Sequence, residues 1–172
     1  RKLNPWLSLE NAHAITNDLA SIPSTSLLEA SEKLHTRLTY GASIEHDGPD
    51  GRRGRSYRFF DFDTPSNNEF VVTRQFTVKG AKKNIRPDIA VLVNGIPLAV
   101  VECKSPTLGD EWRAEALDQF QRYQEIGDKD YRDRGAPRLF HPVQLLIATC
   151  GQAAVYGTVT TPPRHFSEWK TP

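Results

Sequence analysis

The chain has 172 residues, 22 of them basic and 21 acidic, for a formal charge of +1; this length fits one domain with a substantial core and leaves no expectation of a second. Such a balance excludes a uniformly cationic nucleic-acid coat, so any DNA contact must come from local clusters; no run approaches the roughly 18 apolar residues of a membrane span, and no signal-peptide core opens the chain. Cys103 and Cys150 lie in apolar runs and are expected to be small buried hydrophobes rather than a disulfide pair, as in a soluble cytoplasmic protein, and the absence of methionine, even at position 1, leads to the expectation that the chain is an excised piece lacking its natural start.

Residues 9–20 and 26–40 space their apolar side chains at helical intervals, with Ser26 and Glu29 in a capping-box pattern and Gly41 ending the second segment. From 42 onward the texture turns to β-rich runs at 55–62, 69–79, 88–93 and 97–104, punctuated by Gly, Asn and Pro, which predict consecutive strands of one sheet. A helical period returns over 110–127, opened by Asp110 and closed by Gly127. The run 143–149 is apolar on both faces, as a central strand is, and 153–159 predicts another strand. This order predicts an α/β fold, a mixed sheet flanked by helices with a helical N-terminal portion.

Three charged side chains, Asp88, Glu102 and Lys104, interrupt the otherwise apolar strands between 88 and 104. Burying such groups costs several kcal/mol, roughly, unless they are paired or metal-bound. Glu102 and Lys104 are two apart, so on a strand they share a face, while Val101 and Cys103 point the other way and can bury. Asp88 joins them only in one register. A two-residue turn at Asn94 and Gly95 would set Asp88 opposite Val101, whereas an odd-length loop with Gly95 at positive φ, or a compensating bulge, would set it opposite Glu102. Two converging carboxylates suit a hard divalent cation such as Mg²⁺, with the backbone carbonyl of Cys103 as an extra ligand. A cation held there would polarise a phosphoryl group and activate water, and Lys104 would orient that water or stabilise transition-state charge. The bland alternative is an exposed Glu–Lys pair on a strand face and a turn aspartate after Pro87.

The segment NIRPDIAVLVNGIPLAVVECKSPT, residues 84–107, closely resembles the nuclease region of the restriction (R) subunits of type I restriction-modification enzymes, within the PD-(D/E)xK nuclease superfamily. The resemblance extends upstream through 59–80 and downstream through the helix carrying Gln119 and Tyr123 and through 145–158. It implies a restriction-endonuclease-like fold with Asp88, Glu102 and Lys104 as catalytic, metal-binding residues, and Mg²⁺ as cofactor. It matches the family's Q-x-x-x-Y element to Gln119 and Tyr123, which sit four apart on one helix face and could reach the site or a DNA phosphate together. Implied partners are double-stranded DNA and the modification and specificity subunits, the latter supplying sequence recognition. Related subunits also carry an ATP-driven motor, and nothing here resembles a phosphate-binding P-loop, so ATP would belong to the remainder of the chain. An early acidic residue typical of the family is not assignable among Glu10, Glu29 and Glu32.

Two basic clusters stand near the site in sequence, both before it. The second, Lys79, Lys82, Lys83 and Arg86, leads directly into Asp88 and is the better candidate for phosphate contacts than Arg52, Arg53, Arg55 and Arg58. The five histidines show no paired ligand spacing, which argues against zinc. Rival readings are a non-catalytic DNA-binding or subunit-docking module on the same fold, and a stand-alone repair nuclease.

Overall fold

A computed structural model describes residues 3–48 and 51–170. It opens with helices α1 (Leu9–Ala20) and α2 (Leu27–Tyr40). Ser8 caps the first by accepting the Asn11 amide at 3.0 Å, and Ser26 caps the second through the Glu29 amide at 3.2 Å. The Glu29 carboxylate turns back as the capping box predicts, but takes the Thr25 amide at 2.7 Å, one residue earlier than the usual partner. Both helices are amphipathic; Leu34 and Leu38 of α2 bury against Ile22 and Phe60.

The predicted run 55–62 does not join the main sheet. Strand β2 (Gly51–Tyr57) pairs antiparallel with β1 (Ala42–Gly48) as a separate two-stranded sheet, and β1 was not foreseen because ASIEHDG lacks an apolar alternation. This ribbon is exposed along β2 except at Tyr57, which buries with Leu7 and Ile15.

The second sheet holds six strands in sequence order: β3 (Phe70–Arg74), β4 (Ile89–Val93), β5 (Ile96–Cys103), β6 (Leu145–Thr149), β7 (Ala154–Gly157) and β8 (Ser167–Glu168). All neighbours are antiparallel except β5 and β6, which are parallel and are bridged by helix α3 (Glu111–Gln124), as a parallel pair requires. The mixed sheet flanked by helices is thus the class predicted, in the arrangement of a restriction-endonuclease-like core. The run 69–79 stops short as a strand at Arg74, because Gln75 adopts a left-handed φ of 54°. Beyond it, Phe76 and Val78 pack against the main core. Helix α3 ends before the predicted Gly127: Glu125 takes the left-handed position (φ 56°) and the Ile126 amide donates to the Gln121 carbonyl at 3.0 Å, a Schellman closure. The short β8 has no apolar pattern to announce it.

Strand alternation defines the core. Ala90, Val100, Leu146, Ala148 and Val155 turn one sheet face to α3, where Ala116, Leu117, Phe120 and Tyr123 meet them. Cys150 is buried as expected, but Cys103 is exposed, because it ends β5 on the opposite face.

The β4–β5 hairpin takes the second of the two predicted routes. Its loop is the two-residue turn, with Asn94 at φ 51° and Gly95 at 82°, and not the three-residue one. Val93 faces Ile96 and Leu92 faces Pro97, then the register shifts so that Val91 faces Ala99 and Ile89 faces Val101. The extra residue, Leu98, is a bulge that rotates everything beyond it by one position. Asn94 pins the turn: its Oδ1 accepts the Glu69 amide at 2.8 Å and its Nδ2 donates to the Phe59 carbonyl at 2.7 Å. Asn94→Ala is expected to cost about 2–3 kcal/mol, from those bonds and a left-handed alanine, read as a lower urea midpoint with unchanged slope.

Candidate active site

The bulge decides where the charges meet. Because Ile89 pairs with Val101, Asp88 lies across from Glu102 at the end of the strands. Its Oδ2 accepts the Cys103 amide at 2.8 Å and its Oδ1 accepts from Gln75 Nε2 at 2.9 Å. Gln75 also donates its backbone amide to the Asp88 carbonyl at 2.8 Å, so its left-handed backbone serves to hold the aspartate from the neighbouring strand. Sequence reasoning missed Gln75, since nothing in EFVVTRQFTVK marks that residue as leaving the strand.

Glu102 shares the buried face of β5 with Val100 and has no exposed surface. Its Oε2 accepts from Gln119 Nε2 at 2.6 Å, while Oε1 has no hydrogen-bond partner. Burial and, after it, the nearby Asp88 charge push its carboxyl up from 4.5 to about 8, with the Lys104 ammonium pulling the other way. This is a carboxyl group buried at a cost, beside a second one.

Lys104 follows β5, its amide bonded to the Thr149 carbonyl at 2.8 Å. Its side chain is only 12% exposed and reaches Gln119 Oε1 at 2.6 Å and Glu115 Oε1 at 3.0 Å. Gln119 therefore uses both ends of its amide. One end holds the lysine, and the other donates to Glu102 and to Tyr123 Oη, the latter also at 2.6 Å. Tyr123 in turn donates to the Arg86 carbonyl at 3.2 Å, tying the helix to the segment entering β4. The Gln–Tyr pair, four apart on α3, thus faces the charged cluster. Glu115, one turn earlier on the same face, was not singled out, although the same helical spacing points to it.

The positive surroundings are uneven. Arg86, Arg122 and Asn84 line a shallow cleft that also opens on Gln75, Asp88, Gln119 and Tyr123. Lys79 and Lys83 are exposed, whereas Lys82 is paired with Asp133 at 2.7 Å. The earlier cluster is largely committed elsewhere. Arg52 pairs with Glu45, Arg58 with Asp63 at 3.1 Å, and Arg55 stacks over Trp6 at 4.6 Å. Of the early acids, Glu29 is occupied by Thr25 and Lys33, and Glu10 and Glu32 are exposed. Among the described residues, no three or more His, Cys, Asp or Glu side chains come together as a metal cluster, and no helix is long and apolar enough to cross a membrane.

Residues 1–165 match the family model described as the type I restriction enzyme R protein N terminus. Across 99% of its length the chain is 28% identical to a Methanocaldococcus jannaschii protein provisionally named type I restriction enzyme MjaIXP endonuclease subunit, covering 16% of that protein. It is likewise 28% identical, over 99% of its length and 15% of the relative's, to the type I restriction enzyme HindI endonuclease subunit of Haemophilus influenzae. A third relative, the type I restriction enzyme EcoprrI endonuclease subunit of Escherichia coli, is 28% identical over 81% of the chain. The chain therefore spans only a small part of the relatives it matches along its whole length.

Proposed function

The chain belongs to the family of type I restriction enzyme R protein N termini, and from that premise we propose that it is a Mg²⁺-dependent endonuclease domain hydrolysing phosphodiester bonds in double-stranded DNA. The observation that carries this reading is the pairing of a buried, half-unpartnered Glu102 with Asp88 and a nearly buried Lys104. Ionisable groups are seldom buried so expensively without chemistry to perform.

The donor set fits a hard divalent cation. Asp88 and Glu102 would supply carboxylate oxygens, Glu102 Oε1 is free to do so, and the Cys103 carbonyl leaves its strand on the same side as the amide that bonds Asp88. When bound, such an ion polarises a phosphate oxygen and acidifies water. Lys104, fixed by Gln119 and Glu115, presents its ammonium to charge developing on the phosphorus oxygens. Gln119 keeps Glu102 and Lys104 in one arrangement, and Tyr123 keeps Gln119 in its rotamer. Arg86 and Arg122 line the cleft and, with the exposed Lys83 nearby in sequence, would take backbone phosphates without reading bases, as suits a subunit whose specificity comes from modification and specificity partners in the cytoplasm. ATP use would reside in the motor of the longer chain.

Plasmid nicking tests this directly: conversion of supercoiled to open-circular DNA is expected with Mg²⁺ or Mn²⁺ and none with EDTA. Among the described residues no third acid joins Asp88 and Glu102 in a metal cluster, an observation that favours a docking or DNA-positioning module as the second reading. Metal-independent DNA binding with no nicking in any metal would establish that one instead.

A further inference from the structure

The segment leading into Asp88 and the one that follows α3 meet backbone to backbone. Residues 79–84 form a loop closed by the Val78–Ile85 bridge, whose two amide–carbonyl bonds measure 2.9 and 3.0 Å, with Ile85 buried. Residues 128–138 form a second loop, held by the buried Tyr131, whose hydroxyl donates to Asp118 at 2.5 Å, and by the Ala136 amide, which donates to the Tyr123 carbonyl at 2.9 Å. The two loops touch through glycines. A Cβ at Gly80 would stand 2.3 Å from the Gly135 carbonyl oxygen, and one at Gly135 would stand 2.4 Å from the Tyr123 carbonyl oxygen, separations that only a residue without a side chain allows. The Lys82–Asp133 ion pair, at 2.7 Å, crosses the same seam.

Charge collects along this seam. Residues 79–86 carry four cations and no acid, and 128–138 carry four cations and three acids, a net of +5 in a chain whose total is only +1. Lys82 is committed to Asp133 and Lys129 to Asp118. Lys79, Lys83, Arg86, Arg132, Arg134 and Arg138 are exposed and have no ion-pair partner among the described residues. Tyr123 joins this ground to the candidate site: its hydroxyl donates to the Arg86 carbonyl, its own carbonyl takes the Ala136 amide, and it lines the cleft with Arg86 and Asp88. Like charges gathered without neutralising partners repel one another, and such a surface attracts a polyanion.

We propose that the two joined loops form one phosphate-binding shelf, with Arg132 and Arg134 across the seam from Lys83 and Arg86, which holds the backbone of double-stranded DNA beside the cleft. The inference rests on the reading of the substrate as double-stranded DNA and is independent of the metal chemistry. Asp133 works against the shelf by holding Lys82. Its backbone is left-handed, at φ 60°, a conformation that asparagine shares with aspartate, so the acid can be removed without disturbing the turn.

The test is the binding of a fluorescein-labelled duplex by the protein in EDTA, followed by anisotropy at a series of salt concentrations. The double variant Arg132→Ala/Arg134→Ala is expected to bind at least about fivefold more weakly at about 0.1 M salt, with a log–log salt slope flatter by about 1 to 2, since each phosphate contact contributes about 0.9. Asp133→Asn moves the other way, binding about two- to fivefold more tightly as Lys82 is released. Arg52→Ala/Arg53→Ala removes the same charge from the separate ribbon and should stay within about twofold of the native protein. Equal weakening by the ribbon variant would reduce the effect to net charge and overturn the proposal. So would an unchanged slope in the loop variant, weaker binding by Asp133→Asn, or no DNA binding by the native protein. Plasmid nicking run in parallel separates this inference from the nuclease reading. Loop-dependent binding without nicking upholds the shelf and removes the nuclease, whereas nicking with no loop dependence keeps the nuclease and removes the shelf.

Discussion

Alanine at Asp88 or at Lys104 is expected to lower metal-dependent nicking by at least about a hundred- to a thousandfold, the loss typical of removing one preorganised electrostatic group from a reacting centre. The two variants should nonetheless fail differently. Asp88 supplies one of the two carboxylates proposed to hold the ion, so Asp88→Ala should abolish Mg²⁺ or Mn²⁺ binding measured by calorimetry. Lys104 is a cation beside those carboxylates, so Lys104→Ala should still bind metal above pH 8 while failing to nick. It leaves Gln119 Oε1 and Glu115 without their shared donor, a disturbance confined to one side of α3, and the urea midpoint should move little. Retained nicking in either variant would remove that residue from the proposed machinery. Equal loss of metal binding in both would make Lys104 a structural support of the carboxylates.

The second large effect concerns stability. Glu102 ionises at about 8 in the fold against 4.5 in its unperturbed state, because it is buried and lies beside Asp88. Its folded pKa is raised, so its favourable share is fully present below about 4.5 and is lost as pH rises through about 8: the unfolded chain ionises first and the folded chain is left holding the proton. At about 1.4 kcal/mol for each pKa unit, the metal-free protein should lose up to several kcal/mol between pH 5 and pH 9 from this group. Glu102→Gln keeps the shape and the contact region of Gln119 and cannot ionise. In EDTA its urea stability should be flatter with pH than that of the native chain and higher at pH 9. Mg²⁺ should restore the native protein increasingly as pH rises, and leave the variant unchanged. Parallel pH profiles for the two proteins would show that Glu102 does not titrate in this way.

Much of this site is legible in the sequence because its constraints are local. Glu102 and Lys104 are two residues apart on a strand, and Gln119 and Tyr123 are four apart on a helix, so the periodicities of the elements place each pair. Asp88 needed one more quantity, the hairpin register. The sequence narrowed that to an odd loop or a bulge, and Leu98 supplies the bulge. What the sequence withheld is long-range or conformational. Gln75 reaches Asp88 only because its backbone turns left-handed between two β-compatible residues, a choice with no compositional mark. β1 and β2 form their own ribbon because Tyr57, Ile44 and Trp6 pack with α1 rather than with the main sheet, a tertiary preference that strand propensity does not encode. Cys103 was expected inside on the ground that β5 is apolar, but its face is the uncovered one. The same uncovered face explains why 143–149 reads as doubly apolar while only alternate residues are buried.

The two carboxylates hang from parts of the sheet with unequal resistance to opening. Glu102 belongs to β5, flanked on both sides by strands and locked under α3, whereas Asp88 is steadied by Gln75 at the margin, where β3 has a neighbour on one side only. Subglobal fraying of that margin is expected to free the Gln75 side of the aspartate, while its other oxygen stays on the Cys103 amide and the glutamate, lysine and glutamine stay assembled. Native-state hydrogen exchange should register this as a faster amide at Gln75 than at Lys104, with the gap narrowing when a divalent ion cross-links the two halves.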